Sequence, residues 1–220
     1  MISLYTFSSM KQLITPLVIA LLFISCDKDS AHYDDVFEVH FKFNGKEYAK
    51  TITKNTPNPL AVSTFDVSPG NMYESQGAVF ELSDTSNITL YIGNFLRKVD
   101  DNNNGGNEER MKQMLPVGNR SYTLWNGDSS ITNGVGIVFI EGRNSYTSSR
   151  YDATAQRPIP VTTEQAGSTF LINEVKQTDY IAGSNNAFII KGTFNCNLFG
   201  ANNDKKTLTD GTFTCILSTR

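Results

Sequence analysis

The residue run with the most chemical potential is Asp100-Asp101-Asn102-Asn103-Asn104-Gly105. Asp100, Asn102 and Asn104 alternate along it and a glycine follows. This is how the first half of a calcium loop wraps a hard cation. The twelfth position, where a bidentate Glu belongs, is Met111, and Glu108 and Glu109 stand out of place. A polar surface loop uses the same residue types. No cofactor is therefore expected, with calcium at Asp100, Asn102 and Asn104 as the alternative. A second chemistry is stacking. Trp125, Tyr146 and Tyr151 fall at strand ends or in polar segments, where aromatic faces can meet sugar rings. A lone Trp is more often core, so these three are ligand-binding candidates in competition with packing. The histidines, His32 and His40, have no serine or cysteine nucleophile at a recognisable elbow. Asp128, Glu141 and Asp152 lie near polar segments, and glycoside hydrolysis needs two carboxylates at a set separation. Nothing in the chain order pairs them. No catalytic residue is assigned and no enzyme is expected.

The elements that must position these groups read as strands. Phe37, Val39, Phe41 and Phe43 alternate with Glu38, His40 and Lys42, the period of a half-buried strand. Asn44-Gly45 follows, a strong hairpin signal because both turn positions favour positive φ, and Lys46–Ile52 returns. Residues 78–82 and 88–95 form a second hairpin around 83–87. Residues 108–115 suit one or two helical turns, stopped by Pro116. Residues 121–125 read as a strand. Val135–Ile140 is apolar on both faces and suits a central strand. Residues 144–156 read as an exposed hairpin tip or loop, and Pro158 and Pro160 as an edge or linker. Residues 169–176, 187–198 and 208–217 complete the set. The charged fraction is 19% and the net charge −3, with no basic stripe, so nucleic acid is excluded as a partner.

The end of the chain repeats itself. Gly192-Thr193-Phe194-Asn195-Cys196-Asn197-Leu198 echoes Gly211-Thr212-Phe213-Thr214-Cys215-Ile216-Leu217. Leu208 and Phe213 share one core only if a residue is inserted, and Asp210-Gly211 is the natural bulge. Pairing Leu198 with Leu208 then sets Phe194 opposite Phe213, and Cys215 opposite Gly192. Cys196 and Cys215 would stand roughly 13 Å apart. A disulfide needs Cα atoms within about 7 Å, so two buried free thiols are expected.

The third cysteine, Cys26, has a different setting. Leu13–Ile24 reads LITPLVIALLFI, too short for the roughly twenty apolar residues of a membrane-spanning helix. With Lys11 before it and Ser25 after it, the run fits the apolar centre of a signal peptide. The stretch from Met10 to Cys26 is a complete signal peptide by itself, so Met1 and Met10 are both candidate starts. Phe23-Ile24-Ser25-Cys26 resembles the lipobox of bacterial lipoproteins, with Phe23 where Leu is usual. The resemblance implies that Cys26 is diacylated and becomes the mature N-terminus, held by its acyl chains. Cys26-Asp27-Lys28-Asp29 resembles the surface-export signal of Bacteroidetes-type lipoproteins, which implies the outer membrane and its outer face; the periplasmic face is the alternative.

The wider chain resembles a group of small Bacteroidetes lipoproteins of uncharacterised function. The matching parts are Phe41-Lys42-Phe43-Asn44-Gly45-Lys46, the spacing of Pro116, Gly118, Tyr122 and Leu124, and the paired Gly-x-Phe strands at the end. The resemblance implies an antiparallel β domain on an outer-membrane anchor and transfers no catalytic residue. The expected organisation is a signal peptide over 1–25, a lipidated tether over 26–35, and one all-β domain over 36–220. That domain is an antiparallel β-sandwich or flattened β-barrel, long enough for a sizeable core. The expected role is a non-enzymatic surface binding module for a glycan or a protein, with the membrane as partner through Cys26. The alternatives are an assembly subunit, recognised by an open edge strand, and a small-molecule carrier, recognised by an apolar cavity. A hydrolase comes last.

Overall fold

The computed structural model describes residues 37–52, 60–68, 71–98, 115–123, 134–152, 154, 157–159, 163–178 and 187–218. These residues are all-β, with no helix among them. β1 (Phe37–Phe43) and β2 (Lys46–Ile52) form the expected hairpin. Asn44 and Gly45 both take positive φ, 50° and 82°, as a twist-matched two-residue turn requires. β3 (Leu60–Ser68), β4 (Asn71–Ser83) and β5 (Ser86–Lys98) follow as a meander. Then come β6 (Gly118–Tyr122), β7 (Gly134–Glu141), β8 (Asn144–Thr147), β9 (Arg150–Asp152) and β10 (Arg157–Ile159). Three long strands, β11 (Thr169–Thr178), β12 (Ala187–Phe199) and β13 (Lys205–Ser218), complete the domain.

Eleven strands make one sheet in the order β2-β1-β13-β12-β11-β6-β7-β5-β4-β3, with β8 joined to both β7 and β12; β9 and β10 form a separate ribbon. The sheet folds back on itself. Phe41 on β1 and Phe139 on β7 have four strands between them in that order, yet their rings meet edge to face at 5.4 Å. Thr147 on β8 pairs with Val138 on one side and Phe199 on the other, tying β7 to β12 directly. The enclosed face carries the alternate apolar residues that the two-residue period requires. Phe37, Val39 and Phe41 of β1, Ile88, Leu90 and Ile92 of β5, and Val135, Ile137 and Phe139 of β7 are all buried. A β-sandwich or flattened barrel is thus the architecture, with buried phenylalanine rings packed against one another in its core.

Five details depart from expectation. The sheet is mixed, because β6 and β7 run parallel through Ser121↔Gly134 and Tyr122↔Val135. β3 and the first half of β4 form where Ser63, Thr64, Asp66, Ser75 and Gln76 dilute the apolar alternation. β6 begins and ends three residues early, starting at Gly118 with φ 130°. β8 and β9 occupy a stretch expected to be loop, because Tyr146 faces the core and anchors the β7–β8 hairpin. The helical turns expected over 108–115 lie outside the described residues, apart from Leu115, which is buried.

The fifth detail is the register at the C-terminal echo. A bulge does sit where expected, with Asp210 at φ 55°, but β12 and β13 pair two residues away from the expected register. Gly192 faces Phe213 and Phe194 faces Gly211. Each glycine makes room for the other strand's phenylalanine. A Cβ on Gly192 would lie 2.5 Å from the Phe213 ring, and one on Gly211 would lie 2.6 Å from the Phe194 ring. The slip preserves inside and outside, because it is an even number of residues. Cys215 therefore faces Ile190, further from Cys196 than expected, and both thiols are free and buried.

Candidate functional site

The bulge in β13 opens a groove on the outer face of the β12–β13 pair. It encloses about 370 Å³ and is lined by residues 166–168, 195–197 and 207–210. Asn195, Asn197, Thr207 and Thr209 point outward because their neighbours, Cys196 and Leu208, point into the core. One wall is the turn over 163–167, closed by Ala166 N–H donating to Thr163 O at 3.3 Å and Ser168 N–H donating to Gln165 O at 2.9 Å. Gly167 takes φ 82° there, a conformation that suits glycine.

The wall is fastened by Gln165, which is buried. Past Thr169, β11 no longer flanks β12, and Asn197 would lose its partner on that side. The Gln165 carboxamide takes the place of a strand. Its Nε2 donates to Asn197 O at 2.7 Å and to Ser148 O at 2.8 Å. Its Oε1 accepts from Asn197 N–H at 3.0 Å and from Ser168 Oγ at 2.7 Å. Asn195 does the same for Thr169, accepting from its N–H at 2.9 Å and donating to its Oγ1 at 2.8 Å. Asn197 Nδ2 donates to Glu164 O at 2.6 Å. The carboxamides of Asn195 and Asn197 and the Ser168 hydroxyl are thus held in place before any ligand arrives.

At the far end, Asp210 accepts from Lys42 Nζ at 2.9 Å. This bond, more than the general field of Asp210, raises the Lys42 ammonium above its usual value. Next to it on the outer face, His40 Nε2 lies 2.7 Å from Glu47 Oε1, and that contact holds the Glu47 carboxyl below the usual range. The hydroxyls of Thr207 and Thr209 bond to no protein group among the described residues. Beneath the groove, Tyr122 donates to Thr169 O at 3.1 Å and to Asn195 O at 3.0 Å. Burial pushes the Cys196 thiol up to about 12. A thiol so protonated is a packing group and not a nucleophile.

Tyr146, on β8, is half-buried, with its ring 4.9 Å from Phe43 and 6.4 Å from Phe139. Its partners are the protein's own aromatic rings. The backbone of Tyr151 lies in β9 opposite Pro158. Trp125, the Asp100, Asn102 and Asn104 run, and Cys26 lie outside the described residues. Glu141 is engaged elsewhere. It accepts from the Tyr48 hydroxyl and from Lys46 Nζ at 2.9 Å, tying β2 to β7, and both bonds hold its carboxyl below the usual range. Of the ligand-binding candidates, Tyr146 is the one whose side chain is among the described residues, and it packs into the aromatic cluster. The groove residues were not singled out from sequence, and only the bulge at Asp210-Gly211 signalled them.

The two ends of the sheet differ as edges. β2 carries Lys46, Glu47 and Lys50, the charges that discourage strand addition. β3 pairs with β4 in unbroken register over nine residues, and with no other strand among the described residues. Compared with protein-family models, curated proteins and solved structures, the chain finds no match.

Proposed function

We propose that this chain is a lipid-anchored envelope protein whose β domain is a non-enzymatic binding module, with the β12–β13 groove as its site. The observation that carries the reading is the Gln165–Asn197–Asn195 network, which fixes amide and hydroxyl groups around an open polar groove. Pre-ordered groups of this kind spare a ligand the entropy of arranging them. The groove offers no activated nucleophile: its thiol is buried and its carboxylate is paired with Lys42. The short apolar run ending at Cys26 supports the anchor, and the acidic segment after it supports the outer membrane. Growth with labelled palmitate tests the anchor, with label on the parent and none on Cys26→Ser as the expected result. Unlabelled parent protein refutes it. Thr207→Val/Thr209→Val should stay anchored and labelled while losing ligand.

The regular edge of β3, whose one charged residue is Asp66, favours a second reading, an assembly subunit that accepts a strand from a second copy of this chain. Light scattering after chromatography decides it. A dimer that Thr64→Pro converts to monomer supports pairing through β3, and a monomer at high concentration ends that reading.

A further inference from the structure

The groove's chemistry narrows the kind of ligand it takes. Asn197 and Thr207 are cross-strand partners, and Asn195 and Thr209 sit one outward position further along. Four hydrogen-bonding groups therefore form a grid about 6–7 Å along the strands and about 5 Å across them. That is the scale of a single sugar ring. The grid is two-sided in character. Carboxamides donate and accept at fixed positions, and threonine hydroxyls rotate to do either. The Asn195 carboxamide uses one N–H and one lone pair on Thr169, leaving one of each. Ser168 donates its proton to Gln165, so its oxygen is left as an acceptor.

Other ligand classes fit less well. An anion would meet the Asp210 carboxylate at the end of the groove, and the ammonium beside it, that of Lys42, is already committed to it. An apolar ligand would find little to cover it, since Cys196 and Leu208 turn inward and the small Ala166 is the one hydrocarbon side chain left in the lining. An extended peptide needs free backbone N–H and C=O groups, and here Asn197 spends both on Gln165. Vicinal hydroxyls, each both donor and acceptor, match the groups that remain. We infer that the groove binds a neutral saccharide unit edge-on, through Asn195, Asn197, Thr207 and Thr209, with no aromatic platform beneath it. The inference rests on the binding-module reading and names its ligand class.

The test uses the protein purified from membranes in a detergent without a sugar head group. Methyl glucoside, methyl galactoside and methyl mannoside are titrated while amide resonances are followed. Inorganic phosphate and a capped trialanine peptide serve as the other probes. The expected result is that at least one glycoside shifts residues 195–197 and 207–209, with millimolar affinity unaffected by added salt. Thr209→Val and Thr207→Val should each weaken it roughly fivefold or more, while Thr212→Val, on the same strand outside the groove, leaves it unchanged. No response to any glycoside overturns the inference, as does glycoside binding that both groove variants retain. Peptide or phosphate shifting the same residues in place of glycosides overturns the saccharide assignment and leaves the binding module standing. Glycoside shifts confined to another surface overturn both.

Discussion

Replacing Gly211 by Ala probes the contact on which the β12–β13 register depends. The added Cβ would lie 2.5 Å from Phe194 O and 2.6 Å from two atoms of the Phe194 ring. Carbon contacts settle near about 3.5–4.0 Å, so the overlap is about 1 Å on both a backbone and a ring atom. The ring has little room to retreat, being 6.1 Å from Phe213 and 6.3 Å from Phe170. The oxygen cannot retreat without stretching the ladder. Overpacking of this kind typically costs about 1–3 kcal/mol. The stiffer unfolded chain of the alanine variant returns about 0.4–1 kcal/mol. A net loss of about 1–2 kcal/mol is expected, which at a urea m-value of about 2 kcal/mol/M lowers the midpoint by roughly 0.5–1 M. Gly192→Ala should behave alike, because its Cβ meets Leu171 O at 2.4 Å and the Phe213 ring at 2.5 Å. Urea unfolding followed by fluorescence measures both. Adding Phe194→Leu to Gly211→Ala removes the ring clash, so the double variant should lose less than the sum of the singles by about 0.5 kcal/mol or more. Midpoints unchanged from the parent, or strict additivity, would refute the reciprocal Gly–Phe pairing.

Gln165→Ala strips the side-chain strand from Asn197 and leaves buried backbone groups unsatisfied; a loss of about 2–4 kcal/mol is expected, with faster hydrogen exchange at the Asn197 amide, and parent-like stability would contradict it. The thiols of Cys196 and Cys215 should stay unreactive toward a disulfide reagent in the folded protein and react on unfolding. Burial raises both, Cys196 to about 12. Below the ordinary thiol range both folded and unfolded states hold the proton. Above it only the unfolded chain loses the proton, so stability should fall as the pH climbs toward 12, and Cys196→Ala should flatten that fall. Glu141 behaves oppositely, because Tyr48 and Lys46 depress its folded value. Its contribution is present above the unfolded carboxyl range and lost as pH falls through the depressed value. Being partly exposed, it is worth under about 1 kcal/mol, and acid titration of Glu141→Gln should show a shallower slope.

The parts of the fold that were legible in the sequence are those where period and turn chemistry agree. Phe37 to Phe43 alternates cleanly and ends at Asn44-Gly45, and the hairpin is found as read. Val135–Ile140 reads as buried on both sides, and most of it is. The bulge was legible because Leu208 and Phe213 have opposite parity and one core to share. The register across it was not. A slip of two residues keeps every side chain on its face, and only the reciprocal fit of Gly192 with Phe213 and Phe194 with Gly211 selects one of the options. β3 was missed because an edge strand needs little apolar alternation. The groove was missed for a different reason. Gln165 is an ordinary loop residue until β11, which starts only at Thr169, leaves Asn197 needing a partner, which is a tertiary fact.

The most direct measurement is an amide-resolved map of the protein as carbohydrate and protein fractions of its own cell envelope are added. The account expects the resonances that move to belong to 165–168, 195–197 and 207–210, and Thr207→Val/Thr209→Val to silence them. Shifts gathered along β3, or none from any fraction, would contradict a binding module built on the β12–β13 groove.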